Sequence, residues 1–397
     1  MFLLGRHAGR AGKVTSWVLV SAQSDFKIET CADIIAEPWL SSLRHEKRTV
    51  MKLSMTLVFA ALSTVPVLAD YNFISIIDNA DPTFNQALGI NNAGTIAGYF
   101  GSGAPNGTPP PFTLHPNKGY TVTPPYSQAN FTNENFPGSS QTQVTGINNT
   151  GTTVGFYADS NGATTPNFIG FVDQSGTFTA VQDPSTPVVP ASLNQLLGVN
   201  DANVAAGFYQ DALGNFHGYT YNIGTATFDN LLLPSGDNAS SFAATGINNA
   251  GMVVGFFTNL SGTTEGFIDN GGTFTNFLAT GSNNTMFLGI NNNGDAVGVY
   301  QDGSGFNHGF VYSIASGTYQ SVDDPNAVLL NGGTTINGIN DKGDLVGFYG
   351  DANGNTIGLL ATPVPEPRYI SVLLLAALAF AGIKHARRET ARVRQVV

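Results

Sequence analysis

Along residues 70–363, short apolar runs alternate with clusters of Gly, Asn, Asp and Thr, and one such pattern recurs six times. The copies align without gaps: GINNAGTIAGYF from Gly89, GINNTGTTVGFY from Gly146, GVNDANVAAGFY from Gly198, GINNAGMVVGFF from Gly246, GINNNGDAVGVY from Gly289 and GINDKGDLVGFY from Gly338. Their starts lie 43 to 57 residues apart. Each copy predicts a β-hairpin. Places four to six are turn formers, and the sixth is Gly in five copies. The exception is Asn203, the next best residue for a left-handed backbone. Apolar residues such as Val154, Val254 and Val346 then fit a buried strand. The second Gly of each copy (98, 155, 207, 255, 298, 347) would weaken that strand, so its recurrence points to neighbouring backbones in close approach.

Two more strand-like pieces follow each hairpin. One is HGYTY (217–221), EGFID (265–269) or HGFVY (308–312), and more loosely IGFVD (169–173) and IGLLA (357–361). The other is GTFTAVQDP (176–184), ATFDNLLLP (226–234), GTFTNFLAT (272–280) or GTYQSVDDP (317–325). Four short antiparallel strands per repeat of about 50 residues predict an all-β, six-bladed β-propeller. YNFISIIDNADP (71–82) reads as a fourth strand, whereas the last unit runs out at Pro363 after three. Pairing the two would close the ring and leave no free edge. A β-sandwich array or a solenoid is the alternative, although a solenoid coil is usually shorter than these units.

Charge divides the chain of 397 residues into three parts. Residues 1–69 hold eight of the 16 Lys and Arg, and the tail beyond Pro363 holds six. Residues 70–363 hold only Lys118 and Lys342 against 20 Asp and Glu, a formal charge of −18. Such a domain cannot neutralise phosphates, which argues against nucleic acid and anionic membrane surfaces as its partners. The only cysteine is Cys31, ahead of the repeats, so no disulfide framework, CxxC metal site or thiol chemistry is expected.

The ends carry addresses. MKLSMTLVFAALSTVPVLAD (51–70) has a basic start at Lys52, an apolar stretch from Leu53 to Leu62 and small residues at Val67 and Ala69. It predicts a secretory signal peptide over 51–69, cut between Ala69 and Asp70. Residues 1–50 then read as a misassigned upstream extension, with an unusually long leader as the alternative. Near the other end stand Val364, Pro365, Glu366 and Pro367, an apolar stretch over 370–383 and a basic end at Lys384, Arg387 and Arg388. As a helix those 14 apolar residues span about 21 Å, short against a bilayer core of about 30 Å, which suits a transient hold on the inner membrane. The tail divides into a sorting signal over 364–388 with that single hydrophobic helix, and a basic stretch over 389–397.

Two resemblances follow. Residues 364–388 resemble a PEP-CTERM sorting signal, which implies recognition and removal by an exosortase, a membrane transpeptidase of Gram-negative bacteria that make exopolysaccharide and biofilm. The repeats resemble the HAF-type extracellular repeat, matched best over 289–310 and 338–360 and covering most of 71–362. The first unit departs from that pattern, because GSGAPNGTPPPFTL (101–114) lacks the HG pair and is rich in proline.

Candidate chemistry within the repeats is sparse. His217 and His308 hold the same place in two units, where Glu265 and Ile357 stand in others. A ring of metal ligands or general bases is one reading, and residues that pack or cap a turn is the plainer one. His115 is the remaining histidine of the domain. Asp159, Asp211, Asp302 and Asp351 open the loops after the hairpins. Each loop offers one carboxylate, which fits an Asx-turn better than a calcium loop. Asp341, Asp344 and Asp351 make the last unit the best calcium candidate, calcium being the one cofactor considered. The recurrent Phe and Tyr either stack on sugars or fill space between blades. No GxSxG, HExxH or phosphate loop occurs. The expectation is an exported, non-enzymatic structural or binding component of the exopolysaccharide or biofilm matrix, with exopolysaccharide or matrix proteins as partners. The alternative is a secreted polysaccharide-acting enzyme on a propeller scaffold.

Overall fold

The computed structural model describes residues 70–101, 116–159, 167–187, 192–233 and 241–364. The expected signal peptide, Ala69, the sorting residues from Pro365 onward, the helix over 370–383, the basic end and His115 lie outside the described residues. Among the described residues, no helix is long and apolar enough to cross a membrane.

The structure is a six-bladed β-propeller of four-stranded antiparallel sheets. The first strand, β1 (Tyr71–Ile76), belongs to the sixth sheet. Blade 1 is β2 (Asn85–Ile90), β3 (Ile96–Phe100), β4 (Lys118–Val122) and β5 (Phe131–Asn133). Blade 2 is β6 (Gln141–Ile147), β7 (Thr153–Ala158), β8 (Phe168–Gln174) and β9 (Thr177–Val181). Blade 3 is β10 (Asn194–Val199), β11 (Val204–Gln210), β12 (Phe216–Asn222) and β13 (Thr227–Asn230). Blade 4 is β14 (Ser241–Ile247), β15 (Val253–Thr258), β16 (Thr264–Asn270) and β17 (Thr273–Phe277). Blade 5 is β18 (Thr285–Ile290), β19 (Asp295–Gln301), β20 (Asn307–Ser313) and β21 (Thr318–Ser321). Blade 6 is β22 (Thr334–Ile339), β23 (Leu345–Gly350) and β24 (Thr356–Pro363), with β1 paired to β24 from Tyr71↔Pro363 to Ile76↔Gly358.

The GIN motif ends the innermost strand of every blade, and its glycine meets the axis. A Cβ on Gly89 would stand 2.9 Å from the Cα of Gly146, and the same crowding runs from Gly146 to Gly198, Gly246, Gly289, Gly338 and back to Gly89. A bulge precedes each of these glycines, as between Ala87 and Gly89 or between Phe287 and Gly289. The bulge pushes a carbonyl against the second strand. A Cβ on Gly298 would lie 1.9 Å from the carbonyl oxygen of Met286, and one on Gly155 2.0 Å from that of Gln143. The close approach expected from the second Gly is therefore real, and it lies within a blade. The sixth place of the hairpin is left-handed throughout, with Asn203 at φ 57° where the other five have Gly.

Core packing lies between blades. Phe171, Tyr219, Phe267 and Phe310, in the third strands of blades 2 to 5, are fully buried. At the end of the second strand, Tyr157, Tyr209, Phe257 and Tyr349 are buried, while Phe100 and Tyr300 are half-buried. The first unit, which lacks the HG pair over 101–114, has a counterpart of its glycine further on. In register, Lys118 and Gly119 face Phe100 and Tyr99 as His217 and Gly218 face Tyr209 and Phe208. Lys118 stands where blades 3 and 5 have His217 and His308.

Candidate functional site

The turns of the six GIN motifs gather at one mouth of the axis and form two closed rings of hydrogen bonds. The inner ring is the third residue, always Asn and always buried. Each Nδ2 donates to the main-chain carbonyl of the next blade's asparagine: Asn91 to Asn148 at 3.1 Å, Asn148 to Asn200 at 2.9 Å, Asn200 to Asn248 at 3.0 Å. Asn248 donates to Asn291 at 3.2 Å, Asn291 to Asn340 at 3.1 Å, and Asn340 to Asn91 at 3.1 Å, which completes the circle. The same side chain's Oδ1 caps its own turn, as Asn248 does for the N–H groups of Ala250 and Met252. An amide is the group that fills both roles, since a carboxylate could not donate.

The outer ring is the fourth residue: Asn92, Asn149, Asp201, Asn249, Asn292 and Asp341. Each backbone N–H donates to the next side chain's Oδ1, from Asn92 to Asn149 at 2.7 Å and onward to Asp341 and Asn92 at 2.9 Å. The two aspartates stand three places apart in a ring of six, each flanked by asparagines. Asn149 and Asn249 both donate Nδ2 to Asp201 Oδ2, at 2.9 and 2.7 Å. Asn92 and Asn292 do the same to Asp341 Oδ2, at 2.7 and 2.9 Å. Burial works against both charges, but the donated bonds outweigh it and hold each carboxyl below the usual range.

The axis itself has little room. Cavities of about 60 Å³ at this mouth and about 70 Å³ below it are lined by the GIN residues and those preceding them. Sites for sugars or drug-sized molecules take about 300 Å³ or more. A wider cavity, about 720 Å³, opens between blades 3 and 4, where Asp229, Leu232, Asp269 and Phe274 line it.

Three of the four loop aspartates, Asp211, Asp302 and Asp351, form Asx-turns. Asp211 Oδ1 accepts the N–H groups of Leu213 and Asn215, and its Oδ2 meets His217 Nε2 at 2.9 Å. Asp302 caps Ser304 and Phe306, and Asp351 caps Asn353 and Asn355 in the same way. Asp159 accepts from the N–H and Nδ2 of Asn167. His217 stacks on Tyr209 and His308 on Tyr300. His308 Nδ1 also meets Asp323 Oδ2 at 2.8 Å. Burial opposes its charge, but Asp323 and then Asp302 raise its pKa overall.

The three calcium candidates occupy separate arrangements. Asp341 belongs to the outer ring, Asp344 Oδ2 accepts Asn340 Nδ2 at 2.9 Å, and Asp351 caps its loop. Among the described residues, no group of three or more His, Cys, Asp or Glu could hold a metal ion. Reasoning from the sequence missed the two rings, although the signal was present: Asn in every third place and only Asn or Asp in every fourth. It also missed Glu134, which lies half-buried beside Thr153 between blades 1 and 2.

No family model and no curated protein matches the sequence. Among solved structures the chain is similar to Trypanosoma rangeli sialidase in complex with the inhibitor DANA, at TM-score 0.43 and 10% identity over 77% of this chain and 62% of that one. It is similar to a mutant of AofleA from Arthrobotrys oligospora in which three arginines are replaced by alanine, at TM-score 0.41 and 11% identity over 77% and 93%. It is also similar to the β-propeller domain of the Trilobed protease from Pyrococcus furiosus, at TM-score 0.39 and 8% identity over 71% and 98%.

Proposed function

We propose that this protein is an exported, non-enzymatic propeller sorted to the surface of a Gram-negative bacterium. There it serves as a structural or binding component of the exopolysaccharide matrix. The observation that carries the reading is the meeting of the domain's ends. Val364 donates its backbone N–H to the carbonyl of Asp70 at 2.9 Å. The described chain therefore enters the propeller at Asp70 and leaves it at Val364 at neighbouring points, with β1 paired to β24 on the edge of blade 6. An exosortase would act on the residues that follow Val364, after a transient hold on the inner membrane. The test is mass spectrometry of the protein from envelope and medium, with and without the host's exosortase. The expected product starts at Asp70 and is cut near Pro367 only when the exosortase is present. A surface form retaining residues 370–397 in both strains would overturn the reading.

Binding of matrix saccharide has room in the groove between blades 3 and 4, where Leu232 is 80% exposed beside the carboxylate of Asp229. A glycan array tests this: binding without turnover supports it, and new reducing ends would favour an enzyme. One feature speaks for that second reading. Burial, opposed by a hydrogen bond from Thr153 and reinforced by the charge of Asp173, pushes Glu134 up to about 7, a value suited to a general acid.

A further inference from the structure

The six blade junctions are built alike, so a departure at one of them is informative. In each blade one residue at the end of the outer strand lies opposite the glycine of the third strand. These residues are Ile76 opposite Gly358, Val181 opposite Gly170 and Phe277 opposite Gly266. Leu231 and Val322 donate their N–H groups to the carbonyls of Gly218 and Gly309 in the same way. All five pack in the hydrophobic core between blades. In blade 1 the place belongs to Glu134, whose N–H donates to Gly119. A carboxylate thus stands where five apolar side chains stand elsewhere.

Of its two polar neighbours, Thr153 is found in blade 2 alone, whereas the place of Asp173 is also acidic in blade 4, at the equally buried Asp269. Thr153 faces Asp173 across β7 and β8. The corresponding pairs in the other blades are Ile96–Val122, Val204–Asn222, Val253–Asp269, Asp295–Ser313 and Leu345–Ala361. Directly opposed residues of an antiparallel pair share a face, so the Thr153 and Asp173 side chains are neighbours. The Thr153 hydroxyl donates to Glu134 Oε1. Asp173 is only 8% exposed. Gly176 and Thr177 donate backbone N–H groups to its carboxylate, yet Oδ1 is buried with no hydrogen-bond partner. Buried charge without a partner is costly. Neither lysine of the domain balances this charge: Lys118 begins β4, Lys342 sits in the turn between β22 and β23, and neither forms a salt bridge among the described residues.

We infer that Glu134, Thr153 and Asp173 form a binding site for a hard divalent cation, of the calcium or magnesium class, between blades 1 and 2. The donors are all oxygen, as such cations require. Two carboxylates balance the double charge, the orphaned Oδ1 gains its partner, and water completes the shell. The site goes beyond the proposed function and does not depend on it.

Calorimetric titration of the EDTA-stripped protein with calcium and with magnesium, alongside thermal melts at matched ionic strength, tests this. The ionic-strength match is needed because any salt screens an acidic domain. The expected result is one saturable site and a melting temperature that rises with metal. Glu134→Gln and Asp173→Asn should each weaken binding roughly tenfold or more, and Asp351→Asn should leave it unchanged. Glu134→Leu restores the residue type of the other junctions. It should raise the metal-free melting temperature and abolish the metal response. The absence of a saturable site, or binding retained in both Glu134 variants, would overturn the inference.

Discussion

The axial mouth and the junction between blades 1 and 2 are both rich in oxygen and acid, and they are built on opposite principles. At the mouth the inner asparagine repeats six times, four asparagines and two aspartates make the outer ring, and each side chain finds its partner in a neighbouring copy. The rings of Asn91 to Asn340 and Asn92 to Asp341 close on themselves, with donors matched to acceptors. At the junction one copy breaks the rule that the other five keep, and it leaves Asp173 Oδ1 unmatched. Repetition with full pairing makes a lock. A solitary departure with an unpaired group marks a site.

The comparison can be broken at the lock, and the largest effect is steric. Gly298→Ala would drive a methyl group into the Met286 carbonyl, 1.9 Å away, and should cost more than about 4 kcal/mol or prevent folding. Gly294→Ala, in open space at φ 82°, should cost only about 1–2 kcal/mol. Denaturant unfolding of the pair separates crowding from backbone strain.

The next test exchanges the chemistry at constant shape. Asn248→Asp removes the donor to the Asn291 carbonyl and buries a charge, for an expected cost of about 3 kcal/mol. Asp201→Asn strips the shared acceptor from Asn149 and Asn249. That ring is partly solvated, so about 1–2 kcal/mol is expected. Opposite swaps that both destabilise would show that each ring reads the difference between amide and acid. If either is neutral, the pairing is not what holds the mouth.

The same carboxylates set a pH dependence. Asp201 and Asp341 are lowered in the folded state, so their contribution is present above the unfolded carboxylate range and lost as pH falls through their folded values. Stability should therefore fall in acid, and less steeply in Asp201→Asn. The smallest effect is at His308, which is raised by its aspartates after opposition from burial. Its contribution is present below the unfolded histidine value and lost as pH rises through the folded one. His308→Gln should change melting by about 1 kcal/mol or less, and only on the acid side.

Much of the lock was legible in the sequence because its parts recur. Six hairpins, the left-handed Asn203 and the crowding at the second glycine each follow from a local pattern. The rings were not read, because each bond joins residues 43 to 57 positions apart, or 249 across the closure. A single repeat does not say that its Asn points to the next. The loop aspartates attracted the calcium expectation since they recur and are acidic. In the fold their oxygens are spent on the loops' own N–H groups. Glu134 stayed hidden for the converse reason. In FTNENFPG it looks like an ordinary loop acid, and only the sheet register aligns it with Ile76, Val181, Leu231, Phe277 and Val322.

A crystal structure of the protein grown in calcium would test the contrast most directly. The account predicts one cation held by Glu134 and Asp173 beside Thr153, and none at the axial mouth. A cation on the axis held by Asp201 and Asp341, or a junction where Glu134 and Asp173 hold no cation at saturating calcium, would contradict it.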